Sequence, residues 1–311
     1  MPTVREALNA EGLMLVQTVA QTGSFASAAR ELGLVPSAVT YRIRQIEDAL
    51  DVLLFDRSSR QARLTDAGTE LLREGARLLQ EMDAVANRVK RVATGWESQL
   101  TVAVDTVIAC GVVMELAQAF FELAPTTRLR LRDESLSGTL EALASGQADL
   151  ALGIAVETAT FPDVQTAVLG DLPFIYVVAP HHPLANVEGP LADQLLLRHR
   201  AIAVADSVRQ GVAVTFGLLP GQDVLTVPSM AAKLDAQLRG LGGGFVPEPM
   251  ARPYVQTGRL VVKEVERSSR IPRMTYAWRT NPPPGRGLLW WLTQLESPNT
   301  RHALLEHHGR A

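Results

Sequence analysis

The sequence predicts a chain in two parts: an N-terminal all-α winged helix-turn-helix with a long linker helix, and a C-terminal α/β region folded as two lobes. Three observations carry this. A helical apolar period from Leu13 to Leu50 is broken once by glycine; an apolar 4,3 stripe runs from Leu71 to Val92; beyond Gly95-Trp96, strand-like runs alternate with helical ones.

The first part builds up residue by residue. Ser24 suits an N-cap, and Phe25, Ala28, Ala29 and Leu32 fall on one face at i, i+3, i+4 and i+7, after which Gly33 ends the helix. Pro36 suits the first position of the next helix, whose stripe is Val39, Ile43, Ile46 and Leu50. Ser37, Tyr41 and Arg44 point the opposite way, flanked by Thr40 and Gln45. A short helix, a glycine turn and a helix with a polar, basic outer face form a helix-turn-helix signal. Residues 54–64 read as a small β-hairpin, a wing, with Arg57 and Arg60 at its polar tip. Thr65 then caps a helix over about 66–93, in which Leu71, Leu78, Met82, Val85, Val89 and Val92 form a coiled-coil seam broken only by Gly75. Few apolar residues lie off that stripe, which favours dimerisation over packing on its own domain.

In the second part, strands are expected at 100–104, 128–132 and 150–154 with helices at 107–123 and 137–145 between them, an order that implies a largely parallel sheet. A second set follows, with strands near 164–169, 174–178, 202–204 and 224–227 and a helix from Met230 to Leu241. The Gly242-Gly243-Gly244-Phe245-Val246-Pro247 run, a strand at 274–279 and an amphipathic helix at 288–295 complete the pattern. Two lobes joined by crossing strands would hold a ligand in the cleft between them. Arg128, Arg130 and Arg132 alternate along one strand, which suits a charged sheet edge.

Composition narrows the function classes. With 311 residues, 47% of them hydrophobic and 20% charged, the chain is neither disordered nor fibrous. Its longest uncharged apolar stretch, Thr106 to Met114, falls far short of the ~20 residues of a membrane-spanning helix, and charges occupy Met1 to Gly12 where a signal peptide would turn apolar. A cytoplasmic protein is expected. The single cysteine, Cys110, can form neither an internal disulfide nor a Cys-rich zinc site, and its apolar neighbours suggest a buried packing role rather than a redox sensor. His181-His182 and His307-His308 lack a third ligand nearby and read as solvent-exposed, so no metal is expected; nor is a cofactor. Net charge is −3, and residues 1–93 carry as many acidic as basic side chains, so any nucleic acid must be met by a local patch.

Three hypotheses follow: an effector-responsive DNA-binding regulator, a ligand-independent DNA binder, and a bilobal small-molecule-binding protein or enzyme with an appended domain. No nucleophile–base pair or metal set supports an enzyme, and the triple glycine lacks the Lys-Ser/Thr of a phosphate loop. On the recognition helix, Arg44 is suited to a bidentate guanine contact, Thr40 and Tyr41 to phosphate or a thymine methyl, and Arg57 and Arg60 to phosphates. Asp105 and Glu134 end the first two strands of the α/β region. They either cap the helices that follow or face the cleft, where they would favour a neutral or cationic, donor-rich effector, with Thr106, Ser135 and Ser137 adding neutral contacts.

The chain resembles the LysR-type transcriptional regulators over essentially its whole length. Gly23-Ser24-Phe25-Ala26-Ser27-Ala28-Ala29-Arg30-Glu31-Leu32, Pro36 to Glu47, Leu54-Phe55-Asp56-Arg57 and Leu64-Thr65-Asp66-Ala67-Gly68 are similar to that family's helix-turn-helix signature in order and spacing. Gly146 to Leu152 and Val177 to Ala185 resemble its lobe-one strand and lobe-two loop. Pro36-Ser37 stands where many members have a glutamine followed by Pro or Ser, and the acidic pair Asp105 and Glu134 differs from hydroxyl-rich effector sites.

The resemblance implies a DNA-binding domain at 1–65, a linker and dimerisation helix at 66–94, and a periplasmic-binding-protein-like effector domain at 95–311. Lobe I would be about 98–160 with 268–311, and lobe II about 161–267. The implied DNA contacts are Ser37, Thr40, Tyr41, Arg42, Arg44, Gln45, Arg57 and Arg60. The implied effector contacts are Asp105, Thr106, Glu134, Ser135, Ser137, Ser229 and Phe245. The partners it implies are double-stranded DNA with an interrupted palindrome, a small-molecule effector, a homodimer assembling to a homotetramer, and RNA polymerase.

Overall fold

The computed structural model describes residues 3–56, 62–123, 127–155, 163–209, 213–267 and 271–308. The chain divides into two compact units, Met1–Val89 and Lys90–Ala311.

The first unit opens with α1 (Val4–Ala7), α2 (Ala10–Thr22), α3 (Phe25–Glu31) and α4 (Pro36–Leu50). Ser24 caps α3, its hydroxyl accepting the Ser27 N–H at 3.1 Å. Gly33 supplies the turn at φ +66°, a conformation that an L side chain resists. Val39, Ile43 and Ile46 of α4 are buried against Leu15, Val16 and Val19 of α2 and Ala28 and Ala29 of α3, so the apolar stripe read from the sequence is the core face. The ladder of β1 (Phe55–Asp56) and β2 (Arg63–Leu64) is antiparallel, as a wing requires. Buried Glu47 on α4 accepts the Leu54 N–H at 2.9 Å and holds the approach to the wing in place. Arg57 and Arg60 lie outside the described residues. The unit takes in most of α5 (Asp66–Thr94), where Gly75 lets the helix close on Leu13: a Cβ there would sit 3.0 Å from the leucine side chain.

The second unit holds a five-stranded sheet in the order β4-β3-β5-β12-β6, built from β3 (Gln99–Asp105), β4 (Arg128–Glu134), β5 (Leu150–Ile154), β6 (Val164–Asp171) and β12 (Arg273–Arg279). The β3, β4 and β5 ladders are parallel, whereas β12 runs antiparallel to both neighbours, so the sheet is mixed rather than largely parallel. Its helices are α6 (Cys110–Leu123) and α7 (Ser137–Ala144), then α11 (Arg286–Glu296) and α12 (Pro298–Glu306) near the C-terminus. Arginine-bearing β4 is an edge strand, as the alternation suggested.

Lobe II consists of β7 (Phe174–Val178), α8 (Asp193–Leu196), β8 (Ala201–Val204), β9 (Val224–Val227), α9 (Met230–Leu238), β10 (Gly244–Pro247), α10 (Glu248–Gln256) and β11 (Val261–Lys263). Antiparallel β10-β7-β11 and parallel β8-β9 are joined by a bridge between Ala201 and Gly243. The chain crosses between lobes twice, after β6 and after β11, and the two crossings touch: Leu172 N–H donates to Pro272 C=O at 3.1 Å.

Several expectations need correcting. Residues 164–171 belong to the lobe I sheet, pairing antiparallel with β12 along their length with one register shift between Met274 and Thr275, not to the lobe II range that began at 161. Cys110 is exposed rather than packed, because it lies about a quarter turn round α6 from the buried line of Val112, Val113, Leu116 and Phe120, in file with exposed Met114 and Phe121. His182 is buried, not solvent-exposed, and its Nδ1 accepts the Leu184 N–H at 3.2 Å.

Candidate functional sites

On α4 the outward face carries Ser37, Tyr41 and Arg44, all exposed and spaced at i, i+4 and i+7. Arg44 has no side-chain partner among the described residues, which leaves its guanidinium free to fork onto a base edge. Gln45 Nε2 donates to the Tyr41 hydroxyl at 3.0 Å, fixing both side chains on that face. Two of the expected contacts are committed elsewhere. Thr40 Oγ1 donates to the Pro36 carbonyl at 3.0 Å, and Arg42 turns to Glu11 at 3.3 Å in an exposed ion pair.

In the second unit, lobe I meets lobe II at the carboxyl ends of β3 and β4. Asp105 ends β3 and is buried; its carboxylate accepts the N–H groups of Val107 at 3.0 Å and Leu136 at 2.9 Å and the Thr139 hydroxyl at 3.3 Å. Burial pushes this carboxyl up to about 7, against the pull of those donors, and the neighbouring Asp206 adds to the rise. Leu136 is held at φ +57°, a costly backbone for a branched side chain, and this geometry aims its N–H at Asp105. Glu134 ends β4, also buried, with one oxygen on the Arg132 guanidinium at 2.6 Å and the other accepting from Ser207 Oγ at 2.6 Å.

Asp206 and Ser207, on the lobe II segment after β8, reach across to lobe I. Asp206 accepts from Ser137 Oγ and from the Gly138 N–H at 3.2 Å at the start of α7, and from Val208 and Val214 of its own segment at 3.0 and 2.8 Å. Ser207 Oγ also accepts the Ser135 N–H at 2.9 Å. Thr106 Oγ1 lies 3.2 Å from Ser135 Oγ and accepts the Met230 N–H at 3.4 Å, while Arg209 N–H donates to Glu141 at 2.7 Å. The lobes are therefore tied directly, and the hollow beside Glu134 and Ser207 measures about 10 Å³, room for one water. A larger groove of about 480 Å³ opens between α6 and α12, at Gly111, Glu115, Asn299 and His307, on lobe I alone and away from the strand ends.

Of the expected effector residues, the fold brings together Asp105, Thr106, Glu134, Ser135 and Ser137. Ser229 joins them at the start of α9, where its hydroxyl accepts the Ala232 N–H at 3.2 Å. Phe245 does not: it packs edge-on against Tyr176, ring centres 5.3 Å apart, in a separate lobe II cluster. Asp105 and Glu134 are not free acceptors either. One holds backbone donors and the other an arginine, so the basis for expecting a cationic ligand falls away. Asp206, Ser207 and Arg132 were missed. A polar pair directly after a buried strand was the available signal for the first two, and the i, i+2 spacing of Arg132 and Glu134 on one strand face was the signal for the third.

A winged helix-turn-helix with an exposed arginine on its recognition helix, followed by a long helix and a bilobal α/β unit with polar groups gathered between the lobes, defines a DNA-binding regulator with a ligand-binding domain. The chain belongs to the LysR family of bacterial transcriptional regulators: residues 11–69 match the bacterial regulatory helix-turn-helix protein, lysR family, and residues 93–297 match the LysR substrate binding domain. It is 34% identical over 289 residues to the probable HTH-type transcriptional regulator YhaJ of Escherichia coli K12, covering 93% of this chain and 96% of that one. Among solved structures it is similar in fold to full-length CbnR complexed with its target DNA, at 16% identity and TM-score 0.62, covering 93% of this chain and 99% of that one. LysG of Corynebacterium glutamicum with bound effector Arg is similar at 23% identity and TM-score 0.50, over 96% and 99% of the two chains. Among the described residues, no helix is long and apolar enough to cross a membrane.

Proposed function

We propose that this regulator reads an interrupted palindromic operator through Ser37, Tyr41, Arg44 and Gln45 of α4, with Thr40 and Arg42 near the phosphates, and that its activity is set by a small molecule received between the lobes. The observation that carries the reading is the outward α4 face, where Arg44, exposed and without a side-chain partner among the described residues, stands beside the Tyr41–Gln45 pair. CbnR was solved on its target DNA and LysG with arginine; the same two activities in one chain fit the two units here. The exposed α5 stripe supports a homodimer that would pair two recognition helices, with the tetramer built on the second unit. Cytoplasmic location, contact with RNA polymerase and the absence of catalysis belong to the same reading.

The test is selection of bound sites from random-sequence DNA, followed by titration of wild type and Arg44→Ala. A two-fold symmetric site is expected, with Arg44→Ala weakening it by about 1–3 kcal/mol and relaxing one base position. Equal losses on selected and random DNA would reduce Arg44 to a phosphate contact; no enriched site at all would sink the reading.

A further inference from the structure

Lys233 lies on α9, one turn below Met230, whose N–H meets Thr106 across the lobes. It is only 6% exposed; among the described residues its ammonium meets neither a carboxylate nor a hydrogen-bond acceptor, and unlike the sealed Gln237 Oε1 it keeps a narrow contact with solvent. Lys233 leans on Gly244 of β10: a Cβ there would fall 3.3 Å from Nζ and 3.2 Å from Cε, so glycine leaves room for the lysine end. Gln237, one turn further along the same helix face, is fully buried. Its Nε2 donates to the Gly244 carbonyl at 2.9 Å while its Oε1 is sealed without a partner.

A buried ammonium is costly unless paired, and the usual outcome in proteins is an ion pair or a bound anion. Among the described residues no side chain supplies the counter-charge. Helical side chains lean toward the helix N-terminus, which for α9 is the end that meets lobe I. We propose that the counter-charge comes from the effector: Lys233 takes the carboxylate of a small organic acid entering between the lobes, and Gln237 Oε1 accepts from an N–H or O–H beside it. This names the ligand class of the regulatory site and rests on the reading of the second unit as an effector domain. Burial alone lowers the Lys233 ammonium to about 8, as expected of a cation still lacking its partner.

The experiment uses the full-length protein at pH 6.5 and isosteric probe pairs, lactate against lactamide and benzoate against benzamide, read by thermal melting. Wild type is expected to gain about 2–4 °C from the carboxylates at saturating concentration and little from the amides. Lys233→Met and Lys233→Gln should lose the carboxylate response. Lys233→Met, relieved of an uncompensated charge, should itself melt higher than wild type at pH 6.5, with the gain fading toward pH 9.5. Amides as effective as carboxylates, an undiminished carboxylate response in both variants, no carboxylate response in wild type, or a Lys233→Met protein less stable at both pH values would each overturn the assignment. Operator binding by wild type, measured on the same samples, separates the two readings: site-specific binding without the anion response removes Lys233 alone, and its loss removes the regulator reading.

Discussion

Replacing Asp206 with Ala removes one carboxylate that serves both lobes. It accepts from Ser137 Oγ and Gly138 N–H in lobe I and from Val208 and Val214 N–H in lobe II. A hydrogen bond to a charged group contributes about 1.5–3 kcal/mol, but this site is only partly buried, so water replaces some of what is lost. A net loss of about 2–4 kcal/mol is therefore expected, which for a unit of this size is about 5–15 °C in melting temperature. Asn, which keeps one acceptor oxygen, should lose about half as much. Hydrogen exchange locates the effect: the amides of Gly138 and Ser207 should speed up in Asp206→Ala by more than those of β5, which are buried throughout and open only with the unit as a whole. Unchanged melting with unchanged exchange at Gly138 would refute the view that Asp206 holds the lobes together.

Two further outcomes follow from the same geometry. Met82→Glu with Val85→Glu places charge on a stripe whose side chains are 54% and 46% exposed in the single chain; sedimentation should show dimers giving way to monomers and operator affinity falling, and intact dimers would show the seam to be misassigned. The Asp105 carboxyl, raised in the fold to about 7 from an unfolded value near 4, favours the fold when protonated. Its contribution is present below about pH 4 and is lost as pH rises to 7, at most about 4 kcal/mol. The stability difference between wild type and Asp105→Asn should drift by that sense across pH 4–7, and a flat difference would refute the assignment.

Local rules made much of this legible. Pro36 fixes the start of α4 and the Val39, Ile43, Ile46 stripe its buried face, and Ser24 caps α3 as its residue type suggests. The unbroken apolar run of β5 marks a strand covered on both faces. By contrast, α10 escaped notice because Pro249 and Pro253 interrupt any helical period. The membership of β6 in lobe I could not be read either, since alternation shows which side chains share a face but not which strand lies alongside. At the site, Asp105 and Glu134 were placed correctly at strand ends, yet their partners were not. Asp206 and Ser207 lie some 70 residues away in sequence, and only the closing of one lobe on the other brings them near.

The hydrogen bond between Leu172 and Pro272 ties the two interlobe crossings side by side. Paired strands resist shear and stretching but bend and twist readily, so the junction acts as a flexure with one soft direction. Were the Asp206 and Ser207 contacts released, a swing of lobe II about that line would cost least, while sliding or separation would break the bond between the crossings. A ligand would then need to specify not how the lobes move but how far, and an event at the cleft would reach the rest of the chain as a single angle.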